Sequence, residues 1–227
     1  RLFDHEMQRL ADRRLLINNQ LRVALANNEL LLHYQPQHMV GTGELIGAEA
    51  LVRWQPAGRS LVSPAEFIPI AEETDLIIDI GQWVMYEACS QFVRWYEEGV
   101  RLPQISVNVS AKQFHHPKFI DQVVEVLNAT GMDPGALNME LTESVVLGNT
   151  EETVQKMTEL KQLGISFSID DFGTGFSSLA YLKRLPVDEL KIDRSFIQDI
   201  PSDISNMAIV EAVVAMASHL NFNVTAE

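Results

Sequence analysis

Cysteine is nearly absent from this chain. Cys89 is the only one among 227 residues, so no disulfide can form within the chain, and a reducing compartment is implied. Positive charge is also scarce. Lys and Arg number 17 against 31 Asp and Glu, a formal net charge of −14. A surface this acidic repels polyanions, which excludes broad, sequence-independent binding to DNA, RNA or anionic membrane. A phosphate-bearing ligand would need cations to supply local positive charge. Long apolar runs are lacking too, with no stretch near the roughly 20 apolar residues of a membrane span. No secretory pattern opens the chain, and it begins at Arg1 rather than Met, as a piece of a longer protein would. The expected location is cytoplasmic, with a membrane anchor elsewhere in the parent protein left open. No cluster of Cys and His indicates zinc, and no repeat or low-complexity segment is visible.

What is present is the composition of a globular domain, 46% hydrophobic and 21% charged, long enough to bury a substantial core. Residues 1–20 read as a linker helix from an upstream domain, with a dimer-forming helix as the alternative. From Leu30 the pattern changes to short apolar runs. Leu30 to Gln35 fits a first strand that Pro36 ends. Leu45 to Trp54 follows after the Gly41-Thr42-Gly43 turn, which makes this first pair antiparallel. Ser63-Pro64-Ala65-Glu66 predicts a helix start with Ser63 as N-cap and Glu66 completing a capping box. That helix runs to about Glu73, and an amphipathic one covers about Gly81 to Glu98. Further strands are expected at Ile105–Ser110, Leu137–Leu141, Ile165–Ile169, Val187–Ile192 and Phe222–Ala226. Helices separate them at about His116–Thr130, Thr150–Gly164, Ser178–Leu185 and Ile204–Leu220. Alternation of this kind predicts a mainly parallel sheet. The fold class is α/β, a TIM-like (β/α)8 barrel with an antiparallel first strand. Seven strands are visible, and the final strand and helix are expected to be absent from this chain.

The stretch with the densest chemistry is Ser166-Phe167-Ser168-Ile169-Asp170-Asp171-Phe172-Gly173. A buried strand runs into two adjacent carboxylates. Such a pair repels, which suits ligands of a hard cation; the plainer alternative is that Asp171 caps the turn while Asp170 faces solvent. On the second strand, Glu49, Leu51 and Arg53 share one face, which a cross-strand salt bridge would also explain. Polar residues gather near the carboxyl ends of the strands: Glu49, Arg53, Asn108, Glu140, Glu143, Asp170, Asp171, Lys191, Asp193 and Glu227. That end of such a barrel is where chemistry sits. So many carboxylates in one mouth are unfavourable without cations, and an oxygen-rich donor set suits Mg²⁺ or Mn²⁺.

Gly47-Ala48-Glu49-Ala50-Leu51-Val52-Arg53-Trp54 resembles the signature of the EAL domain, a family of bacterial phosphodiesterases that hydrolyse the second messenger cyclic di-GMP. Six further stretches resemble it in order: Tyr34-Gln35-Pro36, Phe67-Ile68-Pro69-Ile70-Ala71-Glu72, Val107-Asn108-Val109-Ser110, Glu140-Leu141-Thr142-Glu143, Asp170 to Gly175, and Leu190-Lys191-Ile192-Asp193. The resemblance covers 21–227 as one phosphodiesterase domain whose C-terminal end is missing. It implies two divalent cations, Mg²⁺ or Mn²⁺, held by Glu49, Asn108, Glu140, Asp170, Asp171 and Glu227, with Asp170 bridging. It implies Lys191, Glu227 and Glu49 as catalytic residues. Gln35, Arg53 and Asp193 would contact substrate, and Glu143 would anchor the Phe172–Ser178 loop. The implied product is linear pGpG. Implied partners are cyclic di-GMP, a homodimer formed through this domain, and an upstream sensor or GGDEF-type domain in the same protein. A catalytically inactive receptor or docking module of the same type is the alternative function. Asp75 stands where the family often has Gly, and Phe176 where it often has Tyr.

Overall fold

The computed structural model describes residues 2–148, 150–173, 182–198, 200 and 203–226. A long helix, α1 (Leu2–Ala24), leads into a hairpin of β1 (Leu30–His38) and β2 (Leu45–Trp54). Helices α2 (Pro64–Glu73) and α3 (Leu76–Glu97) carry the chain to β3 (Ile105–Asn108). A short α4 (Ala111–Phe114) and α5 (Phe119–Thr130) precede β4 (Leu137–Thr142), and α6 (Glu143–Gly148) and α7 (Thr150–Gln162) precede β5 (Ser166–Phe172). Then come β6 (Glu189–Ile192), α8 (Arg194–Ile197), α9 (Ile204–Leu220) and β7 (Asn223–Ala226).

Among the described residues the strands form one sheet in sequence order, β1 to β7. β1 and β2 are antiparallel, and every later pair is parallel. This is the order and sense of a TIM-like barrel whose first strand is reversed. The curl can be derived from one distance. β2 and β6 are four steps apart in the sheet, which flat would separate them by roughly 19 Å at the usual inter-strand spacing. Yet Lys191 Nζ on β6 lies 3.1 Å from Glu49 Oε2 on β2. The sheet must therefore roll, and the side chains two apart on each strand that include Glu49 and Lys191 point into its hollow.

The opposite face packs on helices. Val107, Leu137, Met139, Phe167 and Leu190 are buried in one cluster with Met85 and Phe92 of α3 and Val123 of α5. A second cluster joins Ile17, Leu21 and Ala24 of α1 to Trp54, Phe67 and Ile70. α1 is thus packed against the hairpin and α2, with Arg13 paired to Glu66 and Arg14 to Glu73 at 2.6 Å.

Several local expectations change. β1 runs through Pro36 to His38, because it is an edge strand among those described and its outer side needs no donor at every residue. The capping box at Ser63 does not form; Ser63 makes no side-chain cap bond, and Glu66 turns to Arg13 instead. α3 starts at Leu76, more than a turn earlier than expected. β3 stops at Asn108 because Ser110 caps α4 with a true capping box to Gln113. The helix expected over His116–Thr130 begins instead at Phe119, separated from α4 by a break at His115–Lys118. Most of the expected 178–185 helix lies outside the described residues. Asp75, where the resembled family often has Gly, adopts φ +61°, a conformation Asp tolerates better than most residues; its carboxylate meets Lys112 at 2.5 Å.

Gly81 is where α3 crosses α4. A Cβ there would lie 1.6 Å from Gln113 Nε2, the buried amide that completes the Ser110 capping box. Gly81→Ala is therefore expected to expel that amide and destabilise the fold by about 1–2 kcal/mol. Urea denaturation of Gly81→Ala, Gln113→Ala and the double variant checks this. Fully additive losses would show that the two positions are not coupled.

Candidate active site

Three parallel strands deliver carboxyl-end residues in matched register. Asn108 lies beside Glu140, and Glu140 beside Ser168, two residues before Asp170. The hairpin sets Gln35 opposite Glu49. These pairings bring Glu49, Asn108, Glu140 and Asp170 around one group, the ammonium of Lys191. Its Nζ lies 2.7 Å from Glu140 Oε2, 3.1 Å from Glu49 Oε2 and 3.4 Å from Asp170 Oδ1. Asn108 Nδ2 donates to the other Glu49 oxygen at 2.7 Å. Lys191 and Glu140 are each only 1% exposed.

One ammonium cannot neutralise three carboxylates. Burial alone would lower the Lys191 pKa, but Glu140, Asp170 and Glu49 reverse this and hold it above the usual lysine range. The surplus negative charge shows on Glu140. Burial pushes its carboxyl well above the ordinary range, with Lys191 opposing and Glu49 and Asp170 adding to the rise. Its Oε1 is buried without a hydrogen-bond partner among the described residues.

Asp171 turns outward at φ +54°. Its pKa is raised by burial first, then by Asp170 and Asp193. Asp193 caps α8, accepting the Ser195 backbone N–H at 2.9 Å and the Ser195 hydroxyl; the hydroxyl bond is the main reason its carboxyl lies below the usual range. Arg53 donates to the Val52 carbonyl at 2.9 Å and lines a cleft of about 270 Å³ shared with Asn108, Glu140 and Thr142. A salt bridge between Arg53 and a neighbouring strand is not formed among the described residues; the partner of Glu49 is Lys191. Glu143 is buried at the start of α6, and neither carboxylate oxygen has a partner among the described residues. The loop it was expected to anchor lies mostly in 174–178, outside the described residues, as does Glu227.

Among the described residues no three His, Cys, Asp or Glu side chains are grouped to hold one ion; Glu49, Glu140 and Asp170 are paired with Lys191. The donor chemistry nevertheless fits a hard cation. The donors are oxygens throughout, one buried carboxylate oxygen is orphaned, and the charge on Lys191 falls short of the charge around it.

The residues beneath this site belong to no motif that stands out in the sequence. Ser106, Asn138 and Ser168 are buried, with the Asn138 amide donating to both serine hydroxyls, and Glu189 and Thr225 extend the chain. Their signal is positional, since each stands two residues before a candidate site residue.

The EAL-domain family matches residues 18–227. The chain is 43% identical over 225 residues, 99% of its length, to the bifunctional diguanylate cyclase/cyclic di-GMP phosphodiesterase MucR of Pseudomonas aeruginosa, covering 33% of that protein. It is 38% identical over 226 residues to the cyclic di-GMP phosphodiesterase PdeR of Escherichia coli, covering 34% of it. The chain thus spans about a third of the length of these curated relatives. A solved structure of the PaMucR phosphodiesterase in complex with c-di-GMP superposes with TM-score 0.90 at 43% identity, over 93% of this chain and 85% of that one. The EAL enzyme Bd1971, in its cAMP- and cyclic-di-GMP-bound form, gives TM-score 0.88 at 31% identity, over 95% of this chain and 59% of that one. Sequence and fold agree: the chain belongs to the EAL-domain family.

Proposed function

We propose that this domain hydrolyses cyclic di-GMP to linear pGpG with the help of two divalent cations, Mg²⁺ or Mn²⁺, and so lowers that messenger in bacterial signalling. The observation that carries this is the oxygen cluster around Lys191, opening onto a cleft lined by Arg53. The printed activities of MucR and PdeR, and the c-di-GMP complex of PaMucR, support the substrate. Glu49, Asn108, Glu140 and Asp170 would hold one cation, and Asp170 and Asp171 the other, with Glu227 completing the set. Bound cations of this kind neutralise phosphodiester charge and lower the pKa of water. Lys191 keeps its proton and orients the attacking water by donating a hydrogen bond. Arg53 and Gln35 contact substrate, Asp193 adds a contact, and Glu143 anchors the Phe172–Ser178 loop. Residues 1–20 form the connection to an upstream domain, and the domain works as a cytoplasmic homodimer.

The test is incubation of the protein with cyclic di-GMP and Mg²⁺ or Mn²⁺, with and without chelator. Metal-dependent release of pGpG is expected. Tight binding of cyclic di-GMP with no pGpG would instead identify a receptor.

A further inference from the structure

Below the ring of candidate ligands lies a second polar ring. Two residues before Asn108, Glu140, Asp170, Lys191 and Glu227 stand Ser106, Asn138, Ser168, Glu189 and Thr225. Positions two apart on a strand share a face, so the second ring faces the same hollow. Asn138 Nδ2 donates to Ser106 Oγ at 3.0 Å and to Ser168 Oγ at 2.7 Å. The Ser168 hydroxyl donates to Glu189 Oε2, and the Thr225 hydroxyl to Glu189 Oε1, each at 2.5 Å. The bonds run unbroken from β3 to β7. Barrels of this type ordinarily fill such a layer with Val, Ile and Leu, and polar groups can be buried there without penalty only when bonded.

The bonds match the site strand by strand. Asn138–Ser168 ties the strands that carry Glu140 and Asp170. Ser168–Glu189 ties those that carry Asp170 and Lys191. Just beyond the second tie the backbone ladder gives little guidance. β5 and β6 are in regular register at Ser168–Glu189 and Ile169–Leu190, and the register then shifts before Phe172–Ile192. Asp170 sits within that irregular stretch. The Ser168–Glu189 bond is thus the side-chain tie immediately before the place where Asp170 must be aimed. An apolar layer resists compression but imposes no direction, whereas hydroxyl-to-carboxylate bonds fix separation and orientation together.

We propose that the Ser106–Asn138–Ser168–Glu189–Thr225 ring is a positioning layer for the cation ligands, with Ser168 and Glu189 setting Asp170 against Lys191. This rests on reading the upper ring as a cation site. The experiment compares wild type with Ser168→Ala, Glu189→Gln and Asn138→Leu. Calorimetric titration of metal-stripped protein with Mn²⁺ gives affinity, and thermal melting in chelator gives stability. Ser168→Ala removes no charge, so its effect separates geometry from loss of the Glu189 carboxylate. Ser168→Ala and Glu189→Gln are expected to weaken Mn²⁺ binding roughly 10–100-fold, as outer partners of metal ligands do. Ser168→Ala leaves the buried Asn138 amide and Glu189 Oε2 each one partner short, so its metal-free melting temperature should fall by a few degrees; in both variants Mn²⁺ affinity per folded molecule should fall as well, and kcat should fall with KM for cyclic di-GMP unchanged. Wild-type Mn²⁺ affinity in Ser168→Ala overturns the proposal, as does lost stability with affinity per folded molecule intact. A wild type that takes up no Mn²⁺ overturns the cation site itself, and the positioning layer with it.

Discussion

Lys191→Met is expected to destabilise the metal-free domain by about 3–5 kcal/mol, the usual loss when one partner of a buried ion pair is removed. Met keeps most of the length of the lysine stem and removes the charge together with the hydrogen bonds to Glu49 and Glu140. Glu49, Glu140 and Asp170 would then face one another without the ammonium that now lies within 3.4 Å of all three. Two agents should restore stability. Mn²⁺ brings the missing positive charge. Protons do the same through Glu140, whose folded pKa already lies above its unfolded value of 4.5 and would rise further without Lys191. A raised folded value means the folded state binds the proton more tightly, so stability is gained as pH falls toward 4.5 and lost as pH rises above it. Urea denaturation at pH 5 and pH 8, with and without Mn²⁺, checks this. Equal stability of variant and wild type in chelator at pH 8 would sink the idea. Turnover supplies a second reading. If Lys191 also orients the attacking water, hydrolysis stays low after Mn²⁺ has restored the fold; if it is only a salt-bridge partner, turnover per folded molecule returns.

The residues that were legible in the sequence were those whose partners lie close by or whose periodicity is strict. β2 was found at Leu45–Trp54 because its flanks are clear, and the shared face of Glu49 and Arg53 followed from alternation. The partner of Glu49 did not, since Lys191 is 142 residues away and only the curl of the sheet unites them. The Ser63 capping box failed for the same reason. Its motif is local, but Arg13, 53 residues from Glu66, competes for the carboxylate. Pro36 misled because proline forbids a central strand and not an edge, and edges belong to the sheet rather than to the sequence. The lower polar ring escaped notice because a serine, asparagine or threonine in a strand is ordinary by itself. Its meaning lies in a common offset of two residues across five strands, which requires knowing that the strands are neighbours.

Asp171→Asn is expected to move stability and catalysis in opposite directions. Asp171 follows Asp170 directly and approaches Asp193, and after burial these two carboxylates are what raise its pKa. Asn removes the repelling charge and keeps the shape. It also suits the backbone, since φ at this position is +54° and Asn is among the few residues that adopt such values readily. In chelator the variant should therefore melt at the wild-type temperature or above it. Its neutral amide is a far weaker ligand for a hard cation than a carboxylate. Hydrolysis should fall by more than the roughly 10–100-fold seen when outer partners of metal ligands are removed. The two effects meet in the response to metal. Mn²⁺ at a hundredfold excess over its dissociation constant should stabilise wild type by about 2.7 kcal/mol, and the same concentration should stabilise Asp171→Asn much less. Melting curves with and without Mn²⁺, read beside pGpG release, measure all three quantities. A variant that gains as much from Mn²⁺ as wild type and turns over normally would remove Asp171 from the cation site, leaving it as the cap of its turn.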